Sequence, residues 1–144
     1  MFEDRAQQFE KFGIQCDDTA RARAAVTDMW ADAPGGWVYE WSKLAQDYAD
    51  SGDHATAATA YGFAKFPCLN SPARVPAVDR QLEQYELAAK DFPVHFERRM
   101  IEIPYRGETI AVPIHLCSTD GRYECRPVLM AGGGVDTFKM DFHP

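Results

Sequence analysis

The stretch Pro127-Val-Leu-Met-Ala-Gly-Gly-Gly-Val-Asp-Thr-Phe-Lys-Met-Asp-Phe-His-Pro144 decides how this chain is read. Val128 to Ala131 is a short apolar run bounded by Pro127, which reads as a fully buried strand and not as a helix. Gly132-Gly133-Gly134 follows, where a backbone without Cβ atoms can turn sharply and admit a close neighbour. Asp136 stands at the N-cap position ahead of a helical start at Thr137-Phe138-Lys139. A strand, a glycine turn and a helix N-terminus together gather backbone N–H groups into a concavity that suits negative charge.

Upstream of this stretch the pattern alternates with a period of two. Phe96 to Pro104 and Thr109 to Cys117 predict two strands joined at Tyr105-Arg106-Gly107-Glu108, with Ile110, Val112, Ile114 and Leu116 on one face of the second. Pro113 lies on the other face, where its missing N–H suits an edge strand. Thr119-Asp120-Gly121 turns the chain toward the buried run. Three strands, one of them apolar on both faces, do not make a stable sheet by themselves. The sheet is therefore expected to be completed by residues or a chain outside this sequence.

Before Phe92-Pro93 the period is helical. Asp17-Asp18-Thr19 is expected to cap a helix from Ala20 to Ala31, broken by Pro34-Gly35-Gly36. A second helix is expected from Trp37 to Asp50, where Trp37, Trp41, Leu44, Ala45 and Tyr48 recur at helical spacing. Ser51-Gly52-Asp53 turns into a third, His54 to Lys65, whose alanines permit close helix approach before Pro67 stops it. A fourth spans Val75 to Asp91, with Val78, Leu82, Tyr85 and Ala89 as its apolar stripe. The expected organisation is an α/β chain: a helical module over residues 1–92, then the first strands of a sheet over 93–144.

Composition narrows the function classes. A chain of 144 residues that is 46% hydrophobic can bury one modest core. A net charge of −7 without a basic cluster argues against nucleic acid and against an anionic membrane surface. No apolar run approaches the roughly eighteen residues of a membrane span. The polar, acidic start (Met-Phe-Glu-Asp-Arg) does not resemble a secretory signal, so a cytoplasmic location is expected. The four cysteines, Cys16, Cys68, Cys117 and Cys125, show no CxxC spacing, so no metal site is expected. Cys117 and Cys125 flank a turn and could face each other across a hairpin; in that compartment reduced thiols are favoured.

The order of these segments resembles the front end of an α/β-hydrolase of the FrsA-like group, which includes dihydroxypseudooxynicotine hydrolase and the fungal polyketide-shortening hydrolases. The resemblance rests on Ala57-Ala-Thr-Ala-Tyr-Gly-Phe-Ala-Lys-Phe-Pro67, Tyr85-Glu-Leu-Ala-Ala-Lys-Asp-Phe92 and Ile101-Glu-Ile-Pro104. Most specific is Pro127 to Lys139, which resembles the family's Gly-Gly-x-Asp/Glu-Ser/Thr turn after the third strand. It implies a helical cap, a hydrolase core, and a serine nucleophile with its acid and histidine. No G-x-S-x-G occurs in this sequence, so the triad is expected on a C-terminal hydrolase portion beyond it.

By that resemblance, Gly133, Gly134 and Val135 form the oxyanion loop, supplying a backbone N–H to the carbonyl oxygen of the tetrahedral intermediate. Asp136 reads as the helix cap. His54, His95, His115 and His143 lack a partnering pattern, and Ser71 and Ser118 lack flanking glycines. Trp37, Trp41 and Tyr48 either line a pocket for an aromatic or polyketide-like small molecule or pack as the core of the cap. No cofactor is implied, and a homodimer is left open. A non-catalytic, tetratricopeptide-like binding module is the alternative, carried by the Trp37 to Lys65 helix pair. Such an array needs at least three copies at a period of about 34 residues, and this chain turns to strands after one.

Overall fold

The computed structural model describes residues 8–69, 71–124, 127–130, 132 and 139–141. Among the described residues a helical segment over 8–11 is followed by four helices, α1 (Cys16–Ala25), α2 (Trp37–Asp50), α3 (His54–Ala64) and α4 (Arg74–Ala88). A 3-10 turn, Ala89–Asp91, leads into strands β1 (His95–Tyr105) and β2 (Glu108–Ser118), and a second 3-10 turn covers Lys139–Asp141.

The α2–α3 corner follows from its residues. Gly52 takes a φ of +85°, which removes the Cβ penalty at the end of α2. Its N–H donates to Ala49 O and that of Asp53 to Tyr48 O, closing the last turn in a Schellman arrangement. The Asp53 carboxylate then accepts from Thr56 N at 3.1 Å, so the residue that closes one helix opens the next. Helix α2 buries Trp37, Val38, Trp41, Leu44 and Ala45, one face at helical spacing. Against it lie Ala60, Tyr61 and Ala64 of α3 and Ala77 of α4. Because α3 is covered from both sides, its alanines are buried around much of its circumference.

Two expectations need correction here. Helix α1 begins at Cys16 and ends at Ala25, so Asp17 and Asp18 sit in its first turn, where they complement the helix dipole, and do not cap it. From Val26 the chain leaves the helix, and Thr27 N and Asp28 N both donate to Gly35 O. In α4 the buried positions include Arg74, Gln81 and Gln84 beside Ala77, Tyr85 and Ala88, while Val78 and Leu82 of the expected stripe are only partly buried. Polar burial is tolerated because each of these side chains makes hydrogen bonds, although Arg74 Nε is buried without a partner among the described residues. Arg74 donates to Phe66 O at 2.9 Å and Met29 O at 2.7 Å. His54 Nδ1 lies 2.7 Å from Gln84 Oε1. Arg74 is held below the usual arginine value by that burial.

Strands β1 and β2 form an antiparallel hairpin in register from His95↔Ser118 to Tyr105↔Glu108. Both loop residues have positive φ, Arg106 at 51° and Gly107 at 86°, the geometry whose twist matches a two-residue hairpin. One face rests on α4: Phe96 and His115 pack on Tyr85 with ring centroids 5.4 Å away in each case, the imidazole stacked. By alternation and register, Ile101, Ile103, Ile110, Val112, Ile114 and Leu116 share the opposite face. That face points away from the helices.

The buried strand expected over 128–131 is not found in the described residues: 127–130 pair with none of them, and Val128, Leu129 and Met130 are 80%, 95% and 90% exposed. A strand apolar on both faces needs neighbours on both edges and both faces. Among the described residues only the hairpin is available, and it packs on α4 instead.

Candidate functional site

Gly133, Gly134, Val135 and Asp136, the expected oxyanion loop and cap, lie outside the described residues. Their described flanks are unlike each other. On the N-terminal side stand the exposed Val128–Met130 and Gly132, where an added Cβ would meet nothing within 4 Å. On the C-terminal side, Lys139–Asp141 is docked on the helices. Met140 is buried with Ala58 and Tyr85. Asp141 lies 2.8 Å from Lys65 Nζ, whose side chain is 3% exposed. Gln81 completes the cluster, accepting from Lys65 Nζ at 2.9 Å and donating Nε2–H to Asp141 Oδ1 at 2.7 Å.

Sequence reasoning missed Lys65, Gln81 and Asp141. Gln81 is a neighbour of Lys65 only in three dimensions, and Asp141 is 76 residues from it. A lysine at the end of an alanine-rich helix, with no acid one turn away, is the one local hint.

The aromatic candidates sit inside the module. Trp37 is 1% exposed and donates Nε1–H to Phe63 O at 2.8 Å. Trp41 is fully buried, with Phe9 at 4.7 Å and Phe63 at 5.3 Å between ring centroids. The Tyr48 hydroxyl donates to Asp18 and accepts from Gln15 N, tying α1 to α2. Burial, then the Asp18 hydrogen bond, pushes the Tyr48 phenol up to about 12. These placements are those of packing and anchoring residues.

An open groove of about 490 Å³ runs between α2 and α4. Tyr39, Lys43, Gln46, Tyr61, Pro76 and Arg80 line it, and Trp37, Trp41 and Tyr48 do not. A polar contact in its wall, Tyr61 Oη to Gln46 Oε1 at 3.0 Å, holds two lining residues together. The described residues that line it include neither a nucleophile–base pair nor a metal-ligand set. Among the described residues as a whole, no group of three or more His, Cys, Asp or Glu side chains could hold a metal ion. Among them too, no helix is long and apolar enough to cross a membrane. Cys16, Cys68 and Cys117 are free thiols; Cys125 lies outside the described residues.

A helical module leading into the opening hairpin of a sheet is the front of an α/β-hydrolase architecture. The chain belongs to the FrsA-like family: the family model "Esterase FrsA-like" matches residues 11–144. Similar proteins include the Esterase FrsA of Photobacterium profundum, 28% identical over 122 residues. That of Salmonella typhi is 26% identical over 121. These alignments cover 75% and 76% of this chain, which spans 28% of the length of each relative. Among solved structures, AbyA5 Wildtype superposes with a TM-score of 0.58 at 24% identity, covering 75% of this chain and 30% of that one. This last likeness concerns the fold.

Proposed function

We propose that this chain is the cap and oxyanion-loop portion of a serine-dependent α/β-hydrolase. The enzyme hydrolyses an ester, or a C–C bond beside a carbonyl, in an aromatic or polyketide-like small molecule. The single observation that carries the reading is the family match over 11–144, which runs through the glycine turn. The apolar hairpin face and the exposed Val128–Met130 also support it, since further strands and helices of a hydrolase sheet would cover them.

Residues 1–92 act as the cap and 93–144 open the hydrolase core. The C-terminal portion carries the triad. Attack of its serine on the substrate carbonyl places negative charge on the carbonyl oxygen. Gly133, Gly134 and Val135 supply one preorganised N–H donor to that oxygen, and the residue after the nucleophile supplies the other. One such donor is worth about 3 kcal/mol of transition-state stabilisation. Trp37 and Trp41 influence substrate preference through the packing of the cap, and Tyr48 through its hold on α1.

The test uses a fluorophosphonate probe and an activated aryl ester with the full hydrolase polypeptide. The expected result is ester hydrolysis that the probe abolishes, with the label on a serine outside residues 1–144. Absence of both hydrolysis and labelling, or a label on Ser71 or Ser118, overturns the reading.

A further inference from the structure

We infer that Lys65, Gln81 and Asp141 form a latch that ties the residues after the glycine turn to the helical module and thereby positions the turn's backbone donors. The inference rests on the hydrolase reading above, and concerns positioning residues: none of the three is argued to touch substrate.

Three observations carry it. First, the ammonium of Lys65 is buried and its hydrogen bonds converge on Asp141 and Gln81, at 2.8 and 3.0 Å to the two carboxylate oxygens and 2.9 Å to the amide. The Asp141 side chain is 26% exposed, so the pair is buried on the lysine side, and breaking it leaves the buried ammonium without its countercharge. It therefore discriminates strongly between arrangements that keep the pair and those that lose it. Second, Asp141 is preceded by Met140, which is buried against Ala58 and Tyr85. An apolar plug next to a charged one admits a single register. A slip of one residue would set a thioether against the ammonium. Third, Gly62 in the last turn of α3 leaves room for the cluster: a Cβ there would come within 2.8 Å of Gln81 Nε2 and 3.2 Å of Asp141 Oδ1. Glycine inside a helix is costly relative to alanine, so this position carries a packing demand.

Such a latch matters because a misplacement of about 1 Å in a catalytic donor can cost on the order of 100-fold in rate. The helical module would then serve two ends. It covers the site, and through α3 and α4 it sets the end of the segment that bears the donors.

The experiment compares Lys65→Met, Asp141→Leu, the double variant and Gly62→Ala in the full hydrolase polypeptide. The readouts are kcat and KM on an activated ester, thermal stability, and hydrogen exchange. Each single change is expected to lower kcat at least tenfold with KM unchanged within twofold, and to speed exchange at 139–141 while α2 keeps its protection. The double variant removes the orphaned charge, so its stability should recover while kcat stays low; a merely structural pair would regain both. Gly62→Ala should act in the same direction more weakly. Recovery of kcat in the double variant, or unchanged kcat in a folded Lys65→Met protein, overturns the inference. Full turnover in Gly134→Val overturns the oxyanion reading and this inference with it. Loss in Gly134→Val with full turnover in Lys65→Met overturns the latch alone.

Discussion

The helical module and the strand region spend their apolar residues in opposite ways. In the module, Trp37, Trp41, Phe9, Leu44, Ala60 and Ala64 of α3 and Ala77 of α4 are buried against one another. In the strand region Phe96 and His115 pack on Tyr85, while Ile103, Ile110, Val128, Leu129 and Met130 stand exposed. One half closes on itself. The other leaves apolar residues exposed among the described residues. A helix satisfies its backbone internally and needs burial on only one stripe, whereas a central strand needs neighbours in two directions.

The contrast can be attacked first where it is strongest. Trp41→Ala should destabilise the module by about 3–5 kcal/mol, the range for a large aromatic removed from a packed core. Chemical denaturation of the purified chain reads this directly. A small loss, with an altered substrate profile, would move Trp41 from core to pocket wall. On the strand side, Gly134→Val should lower kcat by roughly 10²–10³-fold with little change in KM, because the donor acts chiefly in the transition state. Asp136→Asn should remain active, since Asn caps a helix about as well as Asp.

Alkaline titration probes the module and its junction with the hairpin. Burial raises Tyr48 to about 12, with the Asp18 hydrogen bond second; burial also raises Tyr85 to about 12, with Cys117 second. The folded state binds these protons more tightly than the unfolded one, where a tyrosine titrates near 10. Their contribution is complete below pH 10 and lost as pH rises through 12. Stability followed by circular dichroism should fall across that window, and Tyr48→Phe should flatten the fall.

Smaller effects sharpen the same comparison. Asp53→Ala removes the cap of α3 and should cost about 1 kcal/mol in a denaturation midpoint. Ile110→Thr, on the bare hairpin face, should cost within about 0.5 kcal/mol in residues 1–144 alone, as for a surface position. In the full polypeptide the same change should cost distinctly more. Equal losses in the two contexts would mean that nothing further covers this face.

The helices α2 and α3 were readable to within a residue because their signals are local. Apolar residues recur at three and four, and Ser51-Gly52-Asp53 holds both the left-handed stop and the next cap. The hairpin was readable for the same reason, from alternation and from Arg106-Gly107. Helix α1 was misplaced because its two aspartates suit either a cap or a first turn, and no local rule separates them. The run Val128 to Met130 looked like a strand because its composition records an environment that its neighbours in the described residues do not supply.

By itself, then, the chain's local chemistry determined the helical period, the corner at Gly52 and the two-residue hairpin. These depend on residues within a few positions of one another. Which faces meet was decided in three dimensions: Arg74 reaching the carbonyls of Met29 and Phe66, the hairpin turning Phe96 toward Tyr85, and Lys65 closing on Asp141. Such pairings satisfy buried polar groups or fill space between segments distant in the chain. Their energy comes from desolvation and shape, which no spacing along the sequence encodes.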